Sequence, residues 1–295
     1  MKVNNPLVSI VVITYNSAEY VLETLESAKN QTYKNIELII SDDGSMDSTA
    51  EVCEKWLDRN HERFVRVKVI NVKKNTGIPA NCNRGLYAAK GKWVKFIAGD
   101  DVLFEDCIRL NVDNSKDCNC PVLVSDLFYF NENGKLENDK EQRVVFKNFI
   151  SKSQKRKKQS YIRNPFFLNT PSFFINTKRI KELGGFDERF FLLEDLPFLI
   201  KLLTNGDDIH YFEEYTVKYR VHSTSVVGAS NLQFVKDLYN SYLIYSRPLF
   251  SRSNAKDIIF KFYNDVNFHF RLNKKEHTLI YKVFNKASGL LRKIN

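Results

Sequence analysis

Over the first 130 residues, apolar runs of strand length alternate with segments of helical period, which implies βαβ units and a largely parallel sheet. LVSIVVIT is apolar on both faces, as a central parallel strand must be. Asn16 follows it in a helix N-cap position. Glu19 completes a capping-box pattern, and Val21, Leu22, Leu25 and Ala28 form the apolar face of the helix. IELIIS is the second strand, and Asp47 is the expected cap of a helix carrying Val52, Cys53, Trp56 and Leu57. RVKVIN alternates apolar and basic residues as an edge strand does. Pro79 suits the first turn of the next helix, GKWVKFIA is a fourth strand, and PVLVSDLFYF is a fifth, followed by the hairpin signal NENGK.

The pattern then changes. Residues 147–163 are polar and basic and read as an exposed loop. TPSFFINTKRIKELGG reads as a strand and a short helix stopped by paired glycines. EDLPFLIKLLTNG is a helix with Asp195 near its cap, Pro197 in its first turn and Asn205-Gly206 at its end. YFEEYTVKYRVH is strand-like, and from about residue 231 the pattern is helical. The fold class is therefore α/β, with a Rossmann-like, mostly parallel sheet flanked by helices and a helical C-terminal extension.

Composition narrows this little: 43 % hydrophobic and 27 % charged residues are ordinary for a globular protein. The opening MKVNNPLVSIVVITYNS reads as a first strand and not a signal peptide, and no apolar run approaches the roughly 20 residues that span a bilayer. Five cysteines, with Cys118 and Cys120 one residue apart and no second pair at zinc spacing, read as reduced cytosolic thiols. The net charge of +10 is uneven, since residues 231–295 hold 12 Lys and Arg against 4 Asp and Glu, leaving 33 against 31 before them. That basic tail suits an anionic membrane surface, packing on the main domain, or a partner surface.

Three acidic sites end or follow expected strands: Asp42-Asp43, Asp100-Asp101 and Glu194-Asp195. In an open parallel sheet ligands bind beyond the carboxyl ends of the strands, so all three are expected at one cleft. Adjacent carboxylates repel, and a divalent cation or ribose hydroxyls would offset them.

VSIVVITYNS, ELIISDDGSMDST, NTGIPANCNRGLYAAKGKWVKFIAGDD, GGFDERFFLLEDLPFLIKL and YRVHSTSV, in that order over residues 6–228, resemble the family 2 inverting glycosyltransferases of GT-A fold, of the type that builds bacterial surface polysaccharide. The resemblance implies a nucleotide-sugar-binding and catalytic domain over residues 1–228 and a basic extension over 229–295. It implies that Tyr15 lies along the nucleotide base, that Asp43 accepts from the uracil N–H, and that Asp42, Asn75 and Gly77 lie near the nucleotide. Asp100 would hold the ribose. Asp101 and His222 would hold Mn²⁺ or Mg²⁺, and Arg220 would be a further diphosphate partner. Many relatives carry a leading acid where this chain has Ala98.

Asp195 is the implied base, with Glu194 beside it, and the helix N-terminus is expected to keep Asp195 ionised. Thr170, Pro171 and Ser172 fall where relatives shape the acceptor site. The implied reaction transfers a sugar from a UDP-sugar to a hydroxyl of a glycan or lipid-linked saccharide. The implied setting is the cytoplasm, peripherally on the inner face of the membrane. A nucleotidyltransferase acting on sugar phosphates shares the paired aspartates and the divalent ion. A basic nucleic-acid-binding protein is the rival from another class, suggested by KSQKRKK but lacking a companion DNA- or RNA-binding motif.

Overall fold

A computed structural model describes residues 5–116, 118–131, 136–137, 140–163, 168–221, 231–275, 278, 281–282 and 286. Its strands are β1 (Val8–Thr14), β2 (Ile36–Asp42), β3 (Arg66–Asn71), β4 (Trp93–Ala98), β5 (Val102–Leu103), β6 (Val122–Asn131), β7 (Leu136–Glu137), β8 (Phe173–Asn176) and β9 (Ile209–Val221). They join one sheet in the order β3-β2-β1-β4-β8-β6-β9-β5, with β7 added on β6. β3, β2, β1 and β4 are mutually parallel, whereas β8 runs antiparallel to both β4 and β6. The strand-helix alternation of the first half thus yields the expected parallel half-sheet with β3 at its edge. The second half is mixed.

The helices are α1 (Val21–Lys29), α2 (Thr49–Asn60), α3 (Ile78–Ala88), α4 (Cys107–Asn114), α5 (Lys140–Ile150), α6 (Gln154–Arg163), α7 (Thr177–Glu182), α8 (Asp195–Thr204), α9 (Leu232–Ser241) and α10 (Ala255–Leu272). They cover both faces, which is why β1 and β2 are apolar throughout: Ile10 and Val12 join a core with Leu25, Trp56 and Ile108, while Val11 joins one with Leu86, Phe198 and Phe234. Glu37, near the start of β2, is fully buried and accepts from Ser9, the Lys90 and Gly91 amides and Arg66. Those donors hold its carboxyl below the usual range despite burial.

Several local expectations change. Asn16 does not cap α1; it has φ 50°, and its side chain accepts from the Met46 N–H at 2.8 Å. α1 begins after Tyr20 without a side-chain cap, and Leu22 is exposed. Residues 147–163 are not a loop: α5 ends at Ile150 and α6 follows, burying only Lys157, Tyr161 and Ile162. So narrow an apolar stripe leaves a basic helix looking like a loop. Lys157 is buried because its ammonium reaches Asp208 at 2.7 Å. Asp47 is not the N-cap of α2, a position held by Ser48, but stands one residue before it and accepts from the Thr49 N–H at 3.0 Å. The NENG turn lies outside the described residues.

α9 and α10 pack on the sheet's helical layer through Phe234, Leu238, Phe260 and Phe268, and Arg163 pairs with Asp257 of α10 at 2.6 Å. Among the described residues no helix is long and apolar enough to cross a membrane.

Candidate active site

One cavity gathers the turn after β4, the 170–172 turn, the 192–195 segment, the end of β9 and Phe234 of α9. β4 carries its burial up to Ala98 and then turns. The Gly99 N–H donates to Ile13, and a side chain at Gly99 would meet Thr14 Cγ2 at 2.9 Å, so only glycine fits there. Asp100 and Asp101 are thereby set into the cavity wall, with Ala98 beside them.

Asp101 is 1 % exposed. Its Oδ1 accepts from the Arg220 N–H at 2.8 Å and its backbone carbonyl accepts from Thr24 Oγ1 at 2.6 Å, but its buried Oδ2 has no donor. Burial, and then the neighbouring Asp100 charge, push its carboxyl well above the usual range. Arg220 lines the cavity and is also engaged within the protein. Its Nε donates to the Asp100 carbonyl at 2.8 Å and its Nη2 to Glu23 at 2.7 Å, between the rings of Tyr20 and Phe130. It is a clasp on the aspartate turn.

Across the cavity, Glu194 and Asp195 open α8. Glu194 accepts from Thr170 Oγ1 at 2.8 Å, and the 170–172 turn is fastened by fully buried Lys95, whose ammonium donates to the Pro171 carbonyl at 2.6 Å. Asp195 accepts from the Leu196 N–H at 2.6 Å. The helix end is not the dominant influence on Asp195. Burial and the adjacent Glu194 push it well above the usual carboxylate range, and the helix amides offset only part of this. Glu194 is raised too, chiefly by burial.

The third acidic pair does not line this cavity. Asp42 accepts from Thr14 Oγ1 at 2.8 Å and from the Ser45 hydroxyl and amide at 2.5 and 2.9 Å. Asp43 accepts from the Thr76 hydroxyl at 2.8 Å, the Thr76 and Gly77 amides at 3.1 and 2.9 Å, and Arg84 at 2.5 Å. Asn75 Oδ1 shares the Gly77 N–H at 3.0 Å, and Tyr15 is 41 % exposed just beyond β1. Two of the three pairs therefore line this cavity, and the first pair is hydrogen-bonded to neighbouring residues outside its lining. His222 lies outside the described residues.

Sequence reading also passed over Arg84, Glu23, Lys95 and Asp237 of α9. The last accepts from the Phe191 and Leu192 amides at 2.8 and 2.7 Å. Its signal was present as a single acid on the helix face that buries Phe234, Val235 and Leu238.

The sequence profile of glycosyl transferase family 2 matches residues 9–184. An uncharacterized glycosyltransferase of Methanocaldococcus jannaschii is 28% identical over 225 residues, which cover 75% of this chain and 72% of that protein. The crystal structure of S. aureus TarS 1–349 in complex with UDP superposes with a TM-score of 0.63 at 21% identity, covering 89% of this chain and 71% of that one. The mannosyltransferase PcManGT from Pyrobaculum calidifontis, in complex with GDP-Man and Mn²⁺, gives a TM-score of 0.64 at 15% identity over 98% of this chain and 81% of that one. The sheet and its flanking helices have the expected GT-A arrangement. The chain belongs to glycosyl transferase family 2 and is a glycosyltransferase.

Proposed function

We propose that the chain transfers a sugar from a UDP-sugar to a hydroxyl of a glycan or lipid-linked saccharide with inversion, Asp195 acting as base. The observation that carries this reading is the placement of two carboxylate pairs, Asp100-Asp101 and Glu194-Asp195, on one cavity, each with one buried member, Asp101 and Asp195, and with Asp101 Oδ2 lacking a donor among the described residues. In a single displacement the acceptor oxygen bonds to the anomeric carbon while the bond to the diphosphate oxygen breaks, its electron pair leaving with UDP. The acceptor proton goes to Asp195, and a carboxylate raised by burial is the stronger base for it.

A buried carboxylate oxygen without a donor, beside a second acid, suits a divalent cation. Asp101 would hold Mn²⁺ or Mg²⁺, with His222 as the second ligand that the family resemblance implies, and the ion when bound would supply charge neutralisation for the departing diphosphate. On the nucleotide side the reading uses Tyr15, Asp42, Asp43, Asn75, Gly77 and Asp100. The donors on Asp43 already fill about four lone-pair sites, so a uracil N–H displaces a movable one, Arg84 or the Thr76 hydroxyl. Residues 1–228 then act as the catalytic domain and 229–295 as its extension.

A panel of UDP-, GDP- and dTDP-sugars with Mn²⁺ tests the donor by thermal stabilisation, and Asp195→Asn tests the base. Transfer should fall roughly 10²–10⁴-fold while donor-induced stabilisation persists. Transfer at the parent rate would remove the base assignment, and release of pyrophosphate in place of UDP would restore the nucleotidyltransferase reading.

A further inference from the structure

The segment that brings Glu194 and Asp195 to the cavity has little regular structure of its own. From Gly185 to the start of α8 the chain is turns and bends, so the position of the two carboxylates depends on what grips the segment from outside. One grip is the Ile78 N–H, which donates to the Phe191 carbonyl at 2.8 Å. That approach requires Gly77: it has φ +97°, and a Cβ there would lie 2.5 Å from the same carbonyl oxygen.

The other grip comes from the C-terminal extension. Asp237, in the middle of α9 and 2 % exposed, accepts the Phe191 and Leu192 N–H groups on Oδ2 at 2.8 and 2.7 Å. Its Oδ1 accepts from Gln233 Nε2 at 2.8 Å. A buried carboxylate within a helix is costly unless donors compensate it, and two of these three donors belong to the segment that leads into Glu194. One turn earlier on the same helix, Phe234 lines the cavity itself.

Resting on the reading of Asp195 as base, we propose that Asp237 is a positioning residue for transfer. α9 fixes the 191–192 peptides, and through them the two carboxylates, so that the basic extension completes the active site. The 191–192 peptide is held between two elements: its carbonyl by the turn whose amides also bind Asp43, and its Leu192 N–H by Asp237 of α9. A base displaced by about 1 Å loses about 10²-fold in rate, which sets the scale of the effect.

The test compares Asp237→Ala, Asp237→Asn and Leu238→Ala with the parent. The readouts are release of nucleoside diphosphate from UDP-glucose, UDP-galactose, UDP-N-acetylglucosamine and GDP-mannose with Mn²⁺, and amide exchange over residues 191–195. Asp237→Ala should lower kcat about 100-fold with donor KM within about twofold, and should speed exchange at Phe191 and Leu192. Asp237→Asn should stay within about tenfold of the parent, since its amide oxygen still accepts both N–H groups once Gln233 turns its own oxygen to the new NH₂.

Leu238→Ala removes a buried apolar side chain from the same helix but none of the hydrogen bonds to the 191–192 amides, and should lower Tm without a comparable fall in kcat. Should Asp237→Ala fail to fold, Asp237→Ser takes its place, with a smaller kcat loss in the same direction. Equal kcat losses in Leu238→Ala and Asp237→Ala would overturn the proposal, as would parent kcat in Asp237→Ala. Asp195→Asn run in parallel separates the two ideas. If it is inactive while Asp237→Ala is not, only the positioning role falls; if it is active, the base assignment falls first.

Discussion

Asp43 and Asp101 invite comparison because they differ so little in setting. Each follows a parallel strand next to β1, and they are 2 % and 1 % exposed. Yet Asp43 is met by two amides, a hydroxyl and a guanidinium, whereas Asp101 receives one amide on one oxygen and nothing on the other. Burial of an acid is therefore no guide to its role. Among the described residues Asp43 is tied to its neighbours by four donors while Asp101 keeps one oxygen without any, so a ligand would have to compete for the first and would meet a bare oxygen at the second. Glu194 and Asp195 stand with Asp101 in being raised chiefly by burial, with a neighbouring charge adding to it at Asp195 and Asp101 and the Thr170 hydroxyl working against it at Glu194.

The contrast is sharpest under mutation. Arg84→Ala should have the largest effect on stability, about 3 kcal/mol by chemical denaturation, because it leaves Asp43 buried without its cationic partner. A loss under about 0.5 kcal/mol would mean that the amides alone suffice and the pair is ornamental. Asp101→Asn should act in the opposite sense. Relieving a buried charge with an orphaned oxygen should stabilise the ligand-free protein by about 1–2 kcal/mol while abolishing Mn²⁺-dependent stabilisation by UDP. Destabilisation with UDP response intact would put Asp101 in the same class as Asp43.

The smallest effect concerns pH. The Glu194 carboxyl is raised in the folded protein above its unfolded value of about 4.3, so its contribution is fully favourable below that pH and is lost as pH rises through the folded value. Glu194→Gln does not titrate. Its Tm should therefore gain on the parent as pH rises from about 4 to 8, by roughly 2–4 °C if the difference reaches about 1 kcal/mol. A gap that narrows with rising pH would show the carboxylate to be as well satisfied as Asp43.

Much of this was legible beforehand because it is local. Strand length, period and turn chemistry placed β1, β2, β3, β4 and α8, and the motifs that carried the family resemblance lie at their ends. The basic run before Arg163 misled, since α6 buries only three residues and one of them is a lysine made tolerable by Asp208, which is distant in sequence. Asn16 misled for a related reason: its side chain found the Met46 amide across the loop layer and not its own helix.

The sequence by itself determined the α/β alternation, the parallel order of the first half and the identity of the acids that follow its strands, because period and turn preference are properties of neighbouring residues. Only the tertiary structure decided which acids are satisfied and which are exposed to a ligand. That depends on donors brought from elsewhere in the chain: Arg84 and the Thr76-Gly77 amides to Asp43, the Arg220 amide to Asp101, and Asp237 to the segment before Asp195. A carboxylate's charge is written in the sequence, but its free energy is set by the company that folding gives it.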